Sequence, residues 1–177
     1  MSDTLITIIA IFLAAILMFV FPLMTMSDRT DDVSQLSVQT ATTEFVEDIR
    51  TTGRITLDKY GKFVEEIGAT GNAYDVELEV QVLDENPGKK TSQANSKKIG
   101  ENVYYSMYTS QILEQLGDAS SNRILALKEG DIVSASVKNT NLTLSQQLKN
   151  FFYTVTGNNT YTIAAEHSGI VTTNGAK

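Results

Sequence analysis

The chain opens with an apolar segment that carries no charged residue from Thr4 to Ser27. Its central run, LITIIAIFLAAILMFVFPLM, is apolar apart from Thr7. About 20 apolar residues, each rising 1.5 Å along a helix, cross a hydrocarbon core about 30 Å thick, so the pattern predicts a membrane-spanning helix. No Lys or Arg precedes the run, and it is longer than the apolar part of an ordinary signal peptide. We therefore expect the segment to be retained in the mature protein.

Three residues at the ends of this segment bear on its role. Pro22 lies near its C-terminal end, where a proline either kinks or locally melts the helix or marks the exit from the membrane. Asp3 is the only charge ahead of the run, and a carboxylate there suits the positive end of the helix dipole and would pair with a nearby ammonium group. Arg29, the first cation, follows the run and taken alone favours a cytoplasmic domain, but Asp residues such as Asp3 contribute little to this bias, so the charges leave the membrane orientation open.

A second helical pattern follows the apolar segment and ends at a glycine. The stretch from Asp28 to Asp32 supplies an acidic start, which the helix dipole favours, and Gly53 is a helix breaker. Four apolar residues recur between them at helical spacing: Val38, Ala41, Phe45 and Ile49. This narrow stripe predicts a helix that packs one thin seam against a domain and leaves its other faces to water or to neighbouring subunits.

Residues 54–83 predict a capped helix followed by a strand. Thr56 is a favoured N-cap residue, and Gly68 ends the next periodic stretch. The apolar positions of that stretch are Leu57, Tyr60, Val64 and Ile67. Residues 74–83, YDVELEVQVL, alternate strictly between apolar and polar residues. Such alternation is typical of an antiparallel sheet that is covered by helix on one face and wet on the other.

The region after residue 98 predicts a further helix and two strands. Apolar and aromatic residues at helical spacing, with Gly117 as the terminator, indicate the helix: Tyr105, Tyr108, Ile112 and Leu116. Residues 123–127 and 131–138 predict two strands around a turn at 128–130, and the second strand alternates apolar residues inward.

The last 35 residues predict one more helix and a pair of strands. Thr143 and Gln146 form a capping box that starts the helix, and its apolar line runs to Gly157. The line consists of Leu144, Leu148, Phe151 and Val155. Strands at 160–165 and 170–173 are expected around a turn at Ser168 and Gly169, with His167 as an exposed and inert imidazole in or beside that turn.

Together these elements predict an α+β fold with two parts. Residues 1–27 form an N-terminal helix that continues into an amphipathic helix, and residues 28–177 form an exported domain in which this helix packs on a small antiparallel sheet with additional helices. The 177-residue length leaves room for one hydrophobic core outside the membrane segment.

Composition removes several classes of function. A net charge of −7 argues against a nucleic-acid partner, because phosphate backbones need a basic face. The chain has no cysteine and one histidine, which excludes thiolate metal sites, histidine triads and two-histidine metal motifs. We find no motif for catalysis, a cofactor, a metal or a small-molecule substrate. The protein is therefore not expected to be an enzyme.

Two polar regions have a simple interpretation and a functional one. The acidic row Asp75, Glu77 and Glu79 is interpreted as the solvated face of the strand at 74–83 rather than a cation site. The stretch from Asp84 to Lys98 carries four lysines and turn residues. It predicts a surface loop that serves either as a solubilising connection or as a basic patch that meets an acidic face of another subunit.

The order of these parts resembles that of type IV pilins and pilin-like proteins, including the pseudopilins of tight-adherence systems. The shared pattern is an apolar N-terminal helix with a proline some twenty residues in, a polar amphipathic helix and a small antiparallel sheet. In that family the helix anchors the subunit in the membrane and later forms the filament core. The resemblance implies that Pro22 is the helix-loosening proline and that Asp3 takes the place of the acidic residue that pairs with a neighbour's terminal amine.

This resemblance yields two hypotheses. In the first, the chain is a structural subunit that polymerises into an extracellular filament, with lipid as its partner before assembly and copies of itself afterwards. Asp3 and Pro22 are then the assembly residues, and the protein is found in the cell membrane and in the filament. In the second, it is a monomeric membrane-anchored component of a secretion or conjugation apparatus.

Overall fold

A single long helix and a four-stranded antiparallel sheet dominate the structure. The computed structural model describes residues 2–84, 104–118, 123–147, 150 and 162–175. Helix α1 spans Ser2–Thr52 without interruption, and its 51 residues correspond to a length of about 76 Å. Pro22 lies inside this helix, so the chain is not melted there. The apolar segment and the amphipathic segment are therefore one continuous helix.

The second half of α1 packs one narrow seam against the domain. All four apolar residues predicted for this seam are buried, and Val46 joins them: Val38, Ala41, Phe45, Val46 and Ile49. Polar side chains extend the same seam at Asp31, Ser34 and Thr42. The Thr42 hydroxyl donates to the Val38 carbonyl at 2.7 Å, which satisfies a polar group inside the core.

The sheet contains strands β2 (Tyr74–Leu83), β3 (Tyr104–Tyr108), β5 (Ile132–Asn139) and β6 (Ala164–Ile170) in the order β3-β2-β5-β6. All neighbouring pairs are antiparallel. The alternation predicted for residues 74–83 is confirmed, because Leu78 and Val80 are buried while Asp75 and Glu77 are exposed. One face of the sheet and the seam of α1 enclose a single core, and the α+β fold class is confirmed.

A smaller sheet and two short helices close the sides of this core. Strand β1 (Arg54–Thr56) pairs with β4 (Ile124–Ala126). Helix α2 (Leu57–Gly68) is capped by Thr56, whose hydroxyl accepts from the Lys59 amide at 3.2 Å, as expected. The ring of Phe63 stacks on Phe45 at a centroid distance of 4.4 Å. This stacking turns Phe63 toward the core and leaves the predicted apolar residues Leu57 and Val64 partly exposed.

Residues 104–108 form strand β3, so the helix expected to include Tyr105 and Tyr108 begins later. Pairing of Tyr105 with Val82 holds this segment in the sheet, and such long-range pairing overrides local periodicity. Helix α3 (Thr109–Gly117) follows, buries Ile112 and Leu116, and ends at Gly117 as predicted.

The turn predicted at Ser168 and Gly169 is wrong, because β6 runs straight through both residues. Gly169 instead allows the Arg50 side chain to lie close to the strand. A Cβ added there would lie 2.6 Å from the Nε atom of Arg50, so the missing side chain leaves room for the Arg50 side chain against the strand. His167 therefore belongs to a strand, opposite Ala135 of β5.

The two strands predicted around residues 128–130 exist but do not form a hairpin. Strand β4 joins the small sheet, whereas β5 lies in the centre of the large one. Asp131 fixes the turn between them, since its buried carboxylate accepts from the amides of Lys128 at 2.8 Å and Leu83 at 2.9 Å. Residues 85–98 of the predicted lysine-rich loop and the helix positions Leu148, Phe151 and Val155 lie outside the described residues.

Gly53 sets the direction in which the chain leaves α1. Its φ of +64° is left-handed, and its amide donates to the Ile49 carbonyl at 2.8 Å. A Cβ there would collide with the carbonyl of Thr173 and lie 2.6 Å from the amide of Gly175. Both neighbours are backbone atoms that cannot move away cheaply.

Replacing Gly53 by alanine is expected to lower the free energy of unfolding by at least about 2 kcal/mol, because strain and collision add. Gly61→Ala is the matched control. Gly61 lies in α2 with nothing within 4 Å of an added Cβ, so alanine should stabilise by roughly 0.5–1 kcal/mol. Denaturant unfolding of the full chain in detergent micelles measures both. Equal effects at the two positions would contradict the role of Gly53.

Candidate membrane and assembly surface

The first half of α1 leaves the domain as a helix that is exposed on every side. Every side chain from Asp3 to Phe19 is exposed. The most exposed large apolar residues there include Phe12, Met18 and Phe19, at 70%, 75% and 69%. Within the described part of the chain, α1 is the one helix long and apolar enough to span a membrane. Such a surface needs lipid or another apolar helix as its environment.

The two residues predicted for assembly lie at opposite ends of this exposed surface. Asp3 is in the first turn of α1, where its carbonyl accepts from the Thr7 hydroxyl at 2.7 Å. Pro22 lies 19 positions later, about 28 Å along the helix axis. The structure does not bring the two together within one chain.

A pair of carboxylates ties α1 to the domain where the apolar surface ends. The Thr143 hydroxyl donates to Oδ2 of Asp31 at 2.7 Å, and the Ser145 hydroxyl donates to Oδ1 of Asp28. Asp31, Thr143 and Ser145 are all buried. We call these four residues the junction clamp. Its two carboxylates lie four and seven residues beyond Met24, about 6 Å and 10 Å along the helix axis, and hold the base of the exposed helix.

The predicted capping box at Thr143 is confirmed and forms part of the clamp. The Gln146 amide donates to the Thr143 hydroxyl at 3.2 Å, and the Thr143 amide donates to Oε1 of Gln146 at 3.0 Å. The hydroxyl of Thr143 thus accepts from its own helical turn and donates to Asp31. Carboxylates beside the start of this helix also suit its dipole. Leu144, expected on the buried line, is exposed in this first turn.

Gln35 binds the free edge of β6 in the manner of a neighbouring strand. Its side-chain amide donates to the Ala164 carbonyl at 2.6 Å, while its oxygen accepts from the Ala164 amide at 3.0 Å. Two backbone groups that a sheet edge leaves open are thereby satisfied. The contact fixes the position of α1 against the sheet near the clamp.

Charged side chains connect α1 to β6 at the other end of the interface between the two elements. Arg50 donates from Nε to the Ile170 carbonyl at 2.9 Å and also pairs with Glu47. Oε1 of Glu47 lies 3.1 Å from Nε2 of His167. The expectation of an inert imidazole in a turn is therefore wrong. Hydrogen bonds from His167 first, and then from Arg50, hold the pKa of Glu47 below its ordinary value.

The outer face of the sheet carries the acidic row and a groove of about 770 Å³. Its lining residues include Asp75, Glu77, Glu79 and Glu166. Glu79 is already engaged, because its Oε1 accepts from the Ser106 hydroxyl at 2.7 Å. Across the described ranges, no three acidic or histidine side chains are arranged to hold a metal ion. Asp75 and Glu77 are exposed and Glu79 is half-buried on this face of the sheet.

Comparison of the chain with protein-family models, curated proteins and solved structures gives no match. The functional argument therefore rests on the geometry of α1 and its contacts.

Loss of the clamp should weaken the fold measurably. Asp31→Ala removes the acceptor of a buried hydroxyl and is expected to lower the free energy of unfolding by about 1–3 kcal/mol. Asp32→Ala removes the adjacent exposed carboxylate and should change the free energy of unfolding by less than about 0.5 kcal/mol. Chemical denaturation of both full-length variants in micelles provides the comparison. If Asp31→Ala and Asp32→Ala changed the free energy of unfolding equally, the clamp would not hold the helix.

Stability should also depend on Glu47 in acid. Its folded-state pKa is lowered from an ordinary value of 4.5, so its interactions stabilise the fold above that value. They are lost as the pH falls through the folded-state pKa. Glu47→Gln should therefore lower the Tm at neutral pH, and the difference from the unmodified chain should shrink below about pH 4.5. Glu44→Gln, one turn earlier and exposed, is the control. A difference that stays constant between pH 7 and pH 3 would contradict this role.

Proposed function

We propose that this chain is a membrane-anchored structural subunit, similar to type IV pilins, that polymerises into an extracellular filament through α1. The observation that carries the proposal is the division of one uninterrupted helix into two halves. The first half is apolar and exposed all round, and the second half is built into the core of the domain. Such a helix presents the domain at a fixed distance from whatever environment surrounds its first half.

Two environments suit the first half, and the proposal uses both in turn. Residues 5–24 match the thickness of a hydrocarbon core, which supports storage of the subunit in a membrane. Backbone groups in the interior of a helix are paired along the helix itself, so the interior of α1 can move from lipid into a bundle of like helices without exposing unpaired backbone groups. The domain contributes no part of its core to this transfer, because the apolar segment lies outside it.

The second candidate is a monomeric membrane-anchored component of a secretion or conjugation apparatus. The length of residues 5–24 supports this second candidate equally, because one crossing of the bilayer surrounds the whole apolar surface with lipid. The two candidates differ in whether copies of α1 pack together.

Fractionation and electron microscopy of cells that make the protein separate these candidates. The filament proposal predicts the full chain in the membrane fraction and, after shearing, thin filaments that contain it and are visible by negative stain. A chain beginning at residue 28 is the control and should be absent from both, because it lacks the apolar segment. Membrane-bound protein without filaments would favour the monomeric anchor. Absence of the full chain from both fractions would contradict both candidates.

A further inference from the structure

The second half of α1 has an exposed seam that faces away from the sheet. It consists of four exposed residues, Arg29, Val33, Leu36 and Thr40, and of the half-buried Thr43. Val33 and Leu36 are 67% and 66% exposed, and a groove of about 390 Å³ lies beside Leu36, Thr40 and Thr43. The steps of four and three residues alternate, which is the spacing of a seam that packs against another helix. We call these five residues the outer seam.

The hydrocarbon core of a membrane would not cover the apolar side chains of the outer seam. Val33 lies nine residues beyond Met24, about 13 Å past the end of the apolar segment, and Leu36 lies further still. When residues 5–24 span the hydrocarbon core, both side chains are outside it. Single exposed apolar residues are ordinary, but two on one packing seam indicate a surface that is covered in the assembled state.

The first half of α1 contains a matching seam 26 residues earlier. Its members are Asp3, Thr7, Ala10, Ala14 and Leu17, with the same alternation of four and three residues. Thr7, Ala10 and Ala14 are small, and small residues let a second helix approach closely. With two parallel helices offset by 26 residues, Thr7 lies beside Val33, and Ala10 lies beside the large Leu36.

The charges at the ends of the two seams are complementary in the same register. An offset of 26 residues places Asp3 of one copy beside Arg29 of the other. Arg29 is exposed and forms no ion pair within the part of the chain that the structure describes, although Asp32 is exposed one turn later. Pairing with a second copy neutralises this cation at the point where the apolar surface begins.

We infer that the first half of α1 of one copy packs in parallel on the outer seam of the next, with Asp3 paired to Arg29. The inference rests on the proposed function and specifies its interface. The contact joins two different surfaces, so it propagates into an open filament rather than closing as a dimer. Successive copies joined by it are displaced by about 39 Å along the helix axis. It assigns Asp3 a side-chain partner in place of the terminal amine that the family resemblance implies.

Charge exchange tests the pairing. Asp3→Arg and Arg29→Asp should each reduce the yield of sheared filaments about tenfold while leaving the protein in the membrane, because each places like charges together. The double variant restores the pair and should recover most of the yield. Arg29→Lys keeps the charge and is the control for protein level and orientation.

The outcomes separate this interface from the proposed function. A normal yield from Arg29→Asp would overturn the pairing, and a loss confined to Asp3→Arg would point to the terminal amine. A double variant as defective as the single variants would also overturn it. Absence of filaments from the unmodified chain would overturn the proposed function, and this interface with it.

Disulfide trapping tests the register without altering charge, since the chain has no cysteine of its own. Thr7→Cys with Val33→Cys places one thiol on each seam at the inferred offset. Oxidation of those filaments should yield a ladder of covalent oligomers on a denaturing gel. Thr7→Cys with Thr43→Cys keeps both residues on the seams but separates them by about 15 Å, beyond the reach of a disulfide. A ladder from the second pair and none from the first would overturn the register.

Discussion

The uninterrupted backbone hydrogen bonding of α1 is the constraint on which the rest of the structure depends. A helix pairs its backbone groups internally, so the same segment can be surrounded by lipid, by other helices or by water without further partners. Only its side chains decide which environment suits each half. In the first half they are apolar in every direction, and in the second half they are apolar toward the sheet. The domain is thus built around the second half of a helix whose first half is apolar and exposed.

Polar contacts fix where the second half of α1 lies on the sheet. The hydrophobic seam alone would permit the helix to slide, because apolar packing has little directionality. The junction clamp holds the N-terminal end of this half of α1. Gln35 binds the edge of β6, and Arg50 binds the far end of that strand. Gly169 allows Arg50 to lie close to the strand, and Gly53 turns the chain away at the helix end. These contacts direct the exposed half along one axis relative to the domain.

The elements with strong local patterns could be predicted from the sequence. The strand at 74–83, the seam of α1, the cap at Thr56 and the box at Thr143 are all set by neighbouring residues. The errors arose where distant partners decide the structure. Tyr105 has helical spacing but pairs with Val82. Ser168 and Gly169 resemble a turn but lie within β6, and Gly169 is close to the side chain of Arg50. The clamp could not be predicted, because its hydroxyls come from residues 112 and 117 positions away from their carboxylates.

The central claim is that one apolar surface meets lipid before assembly and neighbouring helices afterwards. Oxygen accessibility of a nitroxide at position 13 tests it most directly, with labels at buried Val46 and exposed Glu44 as references. The account predicts frequent collisions with oxygen at position 13 in lipid vesicles and marked protection in filaments, with protection at position 46 in both. A label at position 13 that a water-soluble reagent reaches in vesicles as readily as the label at position 44 would contradict the account. Unchanged oxygen accessibility at position 13 in filaments would contradict it as well.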